Sequence, residues 1–347
     1  MYRKATNIFL ITVVFIFAAS SKLIPSGLPT VTYQGLIGAL PFTRIKDASS
    51  QPLKATLPSS YVYGILRSLI VRESSNKAKQ KIIILVVLES LGFASDPEID
   101  SLIKDNIDGM ILRLAQKHPH LQVNDSGRDY PLSGTLGAEL RYLCNFREVD
   151  GLTQFRLSLD SAYLPSSCVP AILSLQNFDT HYIHDGSSHF YRRNKVMPLI
   201  GFSGVHFQDS GARTFANCLT RPFCGDDDSA YSSARSILRD YLSGAASDGK
   251  RGLFLDLMTI DTHAPYTSEK TPLLSFKVKL EAASVKLFAF LDWLLRHDLS
   301  EYDVHIVIAP DHSPGSLLGP SGEKRANDHS VRSTKMNAVY NLKLISR

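Results

Sequence analysis

The chain has 347 residues, of which 44% are hydrophobic and 20% charged, ordinary proportions for a folded globular protein with a sizeable core. Its formal net charge is +5, part of it from Arg3, Lys4 and Lys22 around an N-terminal apolar run, so the remainder is nearly neutral. No basic tract with interleaved aromatics occurs, which argues against nucleic acid as a partner.

Residues 1–22 read MYRKATNIFLITVVFIFAASSK. Two basic residues precede an apolar stretch from Ile8 to Ala19 and then small residues, the layout of a signal peptide or signal anchor. The run is short for a membrane span, which needs about 20 apolar residues. Either form places the rest of the chain outside the cytoplasm, in the periplasm or an equivalent extracytoplasmic space. Residues 23–80 are rich in Ser, Pro, Thr and Lys and read as a linker with opening elements, one of them the apolar patch Tyr61 to Val71.

From residue 81 to 347 the pattern is that of one catalytic domain. Ile82 to Leu88 is a continuous apolar run rich in β-branched residues, as in a strand buried on both faces. Pro97 to Lys117 carries Ile99, Leu102, Ile103, Ile107, Met110, Ile111 and Leu114 at helical spacing. Another helix is expected to start near Thr135. Helices are also expected over Pro170 to Leu175, Ser229 to Leu242 and Phe276 to Arg296. Strands are expected at Thr180 to His184, Leu253 to Thr259 and Asp303 to Ala309, with a late one in NAVYNLKLIS. Strands alternating with helices predict a three-layer α/β sandwich with a mainly parallel central sheet.

Four predicted strands run into residues that bind metal or phosphate: Glu89, then His184 with Asp185, then Asp261 with His263, then Asp311 with His312. Open α/β sheets bind ligands beyond the carboxyl ends of their strands, so the four sets are expected on one edge. Thr135 lies in SGTLGAEL at a predicted helix start. Threonine is a preferred N-cap there, but unpaired helix N–H groups also stabilise a phosphoryl oxyanion. His181, His189 and His206 read as structural. The four cysteines suit an oxidising compartment. Cys218 and Cys224 suggest a small bridged loop in CLTRPFC, Cys144 and Cys168 are the remaining pairing, and free buried thiols are the alternative.

The segments LVVLESLG, SGTLGAE, YIHDGSSHFYRRNKVMPLIGF, IDTHAPY and IAPDHS resemble, in this order, the lipoteichoic acid synthases and lipid A phosphoethanolamine transferases of the alkaline phosphatase superfamily. The resemblance spans about residues 81–329 and implies an alkaline phosphatase-like fold. It implies Glu89, Thr135, Asp311 and His312 as ligands of a catalytic metal, Zn²⁺ with Mn²⁺ as the alternative. Thr135 would be the nucleophile and His263 a second catalytic residue. His184 and Arg193 would bind substrate; His329 is a further candidate. CLTRPFCGDDD resembles a disulfide-bearing stretch of the phosphoethanolamine transferases, which supports a Cys218–Cys224 bridge.

The implied activity is transfer of phosphoethanolamine or phosphoglycerol from a phospholipid donor to a cell-envelope glycan, through a phospho-threonine. Phosphoethanolamine transferases carry several membrane helices ahead of this domain, against at most one here. The donor is therefore expected to be reached from an anchored or secreted domain, or with a membrane partner. The alternatives are a phosphodiesterase, a sulfatase-like hydrolase, or an inactive glycan-binding relative. Sulfatases need Cys or Ser in C/S-x-P-x-R; Cys168-Val169-Pro170 begins that pattern, but Ile172 stands at the arginine position.

Overall fold

The computed structural model describes residues 58–71, 79–94, 96–130, 134–146, 167–207, 226–247, 249–264, 266, 271–314 and 336–345. Residues 1–22, the Cys218–Cys224 pairing and His329 lie outside the described residues.

In chain order the elements are α1 (Tyr61–Val71), β1 (Gln80–Leu88), α2 (Pro97–Lys117), β2 (Leu121–Asp129), α3 (Thr135–Cys144), α4 (Val169–Leu175), β3 (Phe178–His184), a short 3₁₀ turn (Phe190–Arg192), α5 (Arg193–Leu199), β4 (Gly204–Phe207), α6 (Asp227–Leu242), β5 (Gly252–Met258), α7 (Pro272–Leu295), β6 (Tyr302–Pro310) and β7 (Asn337–Leu344). The strands form one sheet in the order β2-β7-β6-β1-β5-β3-β4. β4, β3, β5, β1 and β6 are parallel, and β7 runs antiparallel to both β6 and β2.

β1 sits at the centre and shows why the run Ile82 to Leu88 has no polar face. Ile82, Ile84, Val86 and Leu88 pack into a core with α2, α6 and α7. Ile83, Leu85 and Val87 point to the other side, into a core with α1, α3, α4 and α5. Alternate side chains of a strand face opposite sides of the sheet, so helices on both faces demand apolar residues throughout. The three-layer sandwich expected from the sequence is the fold observed.

Local signals place the helix ends. Asp96 caps α2, its side chain accepting from the Glu98 and Ile99 amides, and Pro97 follows at the first helical position. Thr271 caps α7 in the same way, again followed by a proline. Cys144, the last residue of α3, is disulfide-bonded to Cys168, the residue before α4. No helix among the described residues is long and apolar enough to cross a membrane.

Candidate active site

Parallel register puts the strand ends in one row. Leu88 of β1 is level with Pro310 of β6, Val87 with Met258 of β5, and Met258 with His184 of β3. The next residues, Glu89, Asp311, Thr259 and Asp185, therefore leave the sheet along a single edge.

Hydrogen bonds between neighbouring strand ends hold that edge together. The Glu89 amide donates to Thr259 Oγ1 at 3.0 Å, and the Ser90 amide to Asp311 Oδ1 at 2.7 Å. Ser90 has φ 57°, a left-handed conformation that turns the chain sharply after β1. The Gly92 amide then donates to the His312 carbonyl at 2.7 Å, and a Cβ at Gly92 would stand 2.6 Å from the His312 carbonyl carbon. Only glycine permits so close a backbone approach.

Thr135 reaches the same place on α3. It is the first helical residue and not the cap. Gly134 occupies the N-cap with φ 76° and provides no side-chain hydrogen bond. The Thr135 hydroxyl lies 3.3 Å from Glu89 Oε2 and 3.2 Å from His312 Nε2. His312 Nε2 is in turn 3.2 Å from Glu89 Oε1 and 3.1 Å from Asp311 Oδ2. All four side chains are buried.

This set fits a divalent cation. Glu89, Asp311 and His312 bring one ligand atom each within 4.8 Å of one another. Asp311 Oδ2 is buried and makes no hydrogen bond among the described residues, although His312 Nε2 is close. His312 Nδ1 lies 2.8 Å from the Ser313 carbonyl, to which a protonated Nδ1 donates. That contact orients the ring and leaves Nε2 facing the carboxylates. Burial pushes the Asp311 carboxyl well above its ordinary range, and the Glu89 charge adds to this. Burial acts to raise Glu89 too, but the hydrogen-bonded His312 imidazolium outweighs it and holds that carboxyl well below the usual range. For His312, burial works downward and the two carboxylates carry it up to about 10. Two buried carboxylates beside one imidazole thus demand positive charge, which a metal ion supplies.

His263 stands at the rim of the cluster, with Nε2 3.9 Å from Glu89 Oε1. Burial lowers its pKa, against the pull of Glu89. His184 is buried at the end of β3, its Nδ1 3.3 Å from the carbonyl of Met258 on the neighbouring β5. Burial and the Arg193 charge push it down to about 3, so the ring is neutral. Arg193, expected at the substrate, is buried against Glu139 of α3: its Nε and Nη2 lie 3.1 and 2.8 Å from Glu139 Oε2. The structure thus brings Glu89, Thr135, Asp311, His312 and His263 together and directs Arg193 to a carboxylate of the protein.

Asp185 and Asp261 serve the neighbouring strand ends. Asp185 accepts from the Asp226 amide, and Asp261 accepts from the Asp227 amide and pairs with Lys286 at 2.8 Å. Sequence reasoning passed over Ser90, Gly92, Glu139, Tyr182, Asp256 and Thr259. Glu139 and Asp256 carried a signal, each the one acid in a largely apolar stretch of a predicted element.

A sulfatase family model matches residues 145–328, more than half of the chain. The chain belongs to the sulfatase family. Among solved structures this sulfatase-family chain is similar to the lipoteichoic acid synthase LtaP from Listeria monocytogenes, with TM-score 0.53 and 17% identity over 80% of this chain and 71% of that one. It is also similar to a protein in the alkaline phosphatase superfamily from Vibrio parahaemolyticus, with TM-score 0.50 and 12% identity over 81% and 67%. A third is the C-terminal periplasmic domain of EcEptC from Escherichia coli in complex with Zn, with TM-score 0.50 and 11% identity over 84% and 77%. These likenesses show an alkaline phosphatase superfamily fold. No curated protein matches the sequence. Within the sulfatase family, formylglycine chemistry at Cys168 is closed to this chain, because that sulfur is bonded to Cys144.

Proposed function

We propose that this chain is a metal-dependent transferase that moves a phosphoethanolamine or phosphoglycerol group from a phospholipid to a cell-envelope glycan, with Thr135 as nucleophile. The observation that carries the reading is the convergence of the Thr135 hydroxyl on Glu89 and His312, at 3.3 and 3.2 Å, from three separate elements. A hydroxyl has no use for that company as a plain helix residue. Residues 1–22 would export the chain and residues 81–347 would form its catalytic domain. The zinc complex of the similar EcEptC domain supports zinc as the metal.

Glu89, Asp311, His312 and Thr135 would hold the cation, which when bound lowers the pKa of a ligated hydroxyl and offsets phosphate charge. Thr135 Oγ1 attacks phosphorus and the bond from phosphorus to the donor alcohol breaks. The alcohol leaves with a proton. An acceptor hydroxyl then attacks the same phosphorus, loses its proton and releases Thr135. The uncapped first turn of α3 presents backbone N–H groups toward the phosphoryl oxygens. His263, beside Glu89 at the rim, is the residue of this chain suited to carry protons in both steps.

The test is intact mass after incubation with phosphatidylethanolamine or phosphatidylglycerol. The wild type is expected to gain one phosphoethanolamine or phosphoglycerol group, and Thr135→Ala none. A metal-loaded wild type with no adduct under either donor overturns the reading. An adduct discharged as fast by water as by glycan would make the chain a phosphodiesterase.

A further inference from the structure

Thr135 and Glu139 stand four residues apart on α3, and so one above the other on the same face of the helix. Glu139 has no exposed surface. Its Oε2 receives Arg193 Nε and Nη2, and its Oε1 accepts from the Tyr182 hydroxyl at 2.7 Å. Arg193 opens α5 and Tyr182 lies in β3. A charge removed from water this completely persists only when paired, so the Glu139–Arg193 contact joins α3 to the β3–α5 segment. Asp256 of β5, level with Tyr182 in the sheet, is buried beside them. Neither of its carboxylate oxygens has a hydrogen-bond partner among the described residues. Burial raises its pKa well above the usual range and the Glu139 charge adds to this, against the Arg193 charge.

The same segment touches α3 a second time. The Tyr191 hydroxyl is 3.8 Å from where a Cβ would stand on the cap residue Gly134, and the Tyr191 ring lies 5.2 Å from the Arg193 guanidinium. Tyr191 and Arg192 hold φ values of 54° and 56°. Non-glycine residues adopt that conformation in succession only when the surroundings impose it. Residues 191–193 thus brace α3 at its cap and at its second turn.

We propose that Arg193 acts through Glu139 as a positioning residue: their buried ion pair sets the first turns of α3 so that the Thr135 hydroxyl stays within reach of Glu89 and His312. The proposal rests on Thr135 being the nucleophile.

The experiment measures adduct formation on the full chain over a range of donor concentrations, with bound zinc determined on each sample, for wild type, Glu139→Gln, Arg193→Lys and the double variant. Positioning predicts that each single variant lowers the maximal rate by about tenfold or more. Half-saturating donor and bound zinc stay within about twofold, and the double variant is no slower than the slower single one, because both remove one contact. An Arg193→Lys variant with raised half-saturation and unchanged maximal rate, beside a Glu139→Gln variant that behaves as wild type, overturns the proposal. Should either variant fail to fold, Tyr182→Phe takes its place. It deletes one hydrogen bond to Glu139 and is expected to slow the maximal rate by about threefold; an unchanged rate overturns the proposal. A wild type that gives no adduct refutes only the transferase reading. Hydrogen exchange of amides 136–139 then decides: faster in Glu139→Gln with β1 and β6 unchanged supports positioning, and no difference overturns it.

Discussion

The Thr135 hydroxyl lies 3.3 Å from Glu89 Oε2 across 46 residues of chain, with α2 and β2 intervening. One residue is at a strand's end and the other at a helix's start, so neither is positioned by its sequence neighbours. The sheet edge and the uncapped helix bring them together, and His312 closes the triangle.

Removal of one charged donor should abolish tight cation binding. Asp311→Asn and Glu89→Gln are expected to lower zinc affinity by at least about tenfold, whereas Thr135→Ala, which removes a neutral oxygen, should lose less. Zinc content after dialysis measures this directly. Added zinc should raise the Tm of the wild type and of Thr135→Ala, through binding to the folded state alone, and leave that of Asp311→Asn nearly unmoved.

Asp185 gives a pH signature separate from the metal cluster. Burial pushes its carboxyl up to about 7, and the charges of Asp226 and Asp261 add to the shift. A carboxyl whose folded pKa is raised favours the folded state when protonated. That contribution is complete below its unfolded value of about 4 and is lost as pH rises through about 7. Asp185→Asn keeps an oxygen to accept from the Asp226 amide and has no charge to bury. It should therefore stabilise the protein at pH 8 relative to wild type, by on the order of 1–2 kcal/mol, and make little difference at pH 4. Urea unfolding at the two pH values checks the sign.

The buried pair Arg141–Asp129 should be costly to break. Arg141 Nε and Nη2 lie 2.9 and 2.8 Å from Asp129 Oδ1, while the other carboxylate oxygen accepts from the Ser60 hydroxyl and the Val62 amide. The pair ties α3 to β2 and to the start of α1. Asp129→Ala strands the guanidinium in the interior and is expected to lose about 3–5 kcal/mol in chemical denaturation. A loss under about 1 kcal/mol would show that water reaches Arg141.

Reduction of Cys144–Cys168 should destabilise the chain by about 2–4 kcal/mol, since the bond closes a loop across a separation of 24 residues. Calorimetry with and without dithiothreitol reads the shift. The Cys144→Ser/Cys168→Ser double variant should show, without reductant, the part of the shift that belongs to this bond.

Much of the fold was legible because the strongest patterns come from the most buried elements. Ile82 to Leu88 could be read as a two-sided buried strand, and the apolar stripe of Pro97 to Lys117 as a helix with the bounds observed. β2, LQVNDSGRD, was not legible. It lies at the sheet's edge, paired to β7 alone, so little burial constrains its residues. The four-residue β4 at the opposite edge was too short to carry a period, and α5 was obscured by the left-handed Arg192 at its cap and by Pro198 inside it.

The sequence by itself determined the alternation of strands and helices, the residue types waiting at the strand ends, and the threonine at a helix start. Those are properties of contiguous segments, and contiguous hydrophobicity and chain chemistry decide them. Only the tertiary structure decided which of those side chains meet. It set Gly134 and not Thr135 as the cap of α3, it joined Cys144 to Cys168, and it turned Arg193 toward Glu139, 54 residues away. A guanidinium's charge is the same wherever it points. Whether it faces a ligand or a buried carboxylate depends on how distant segments pack.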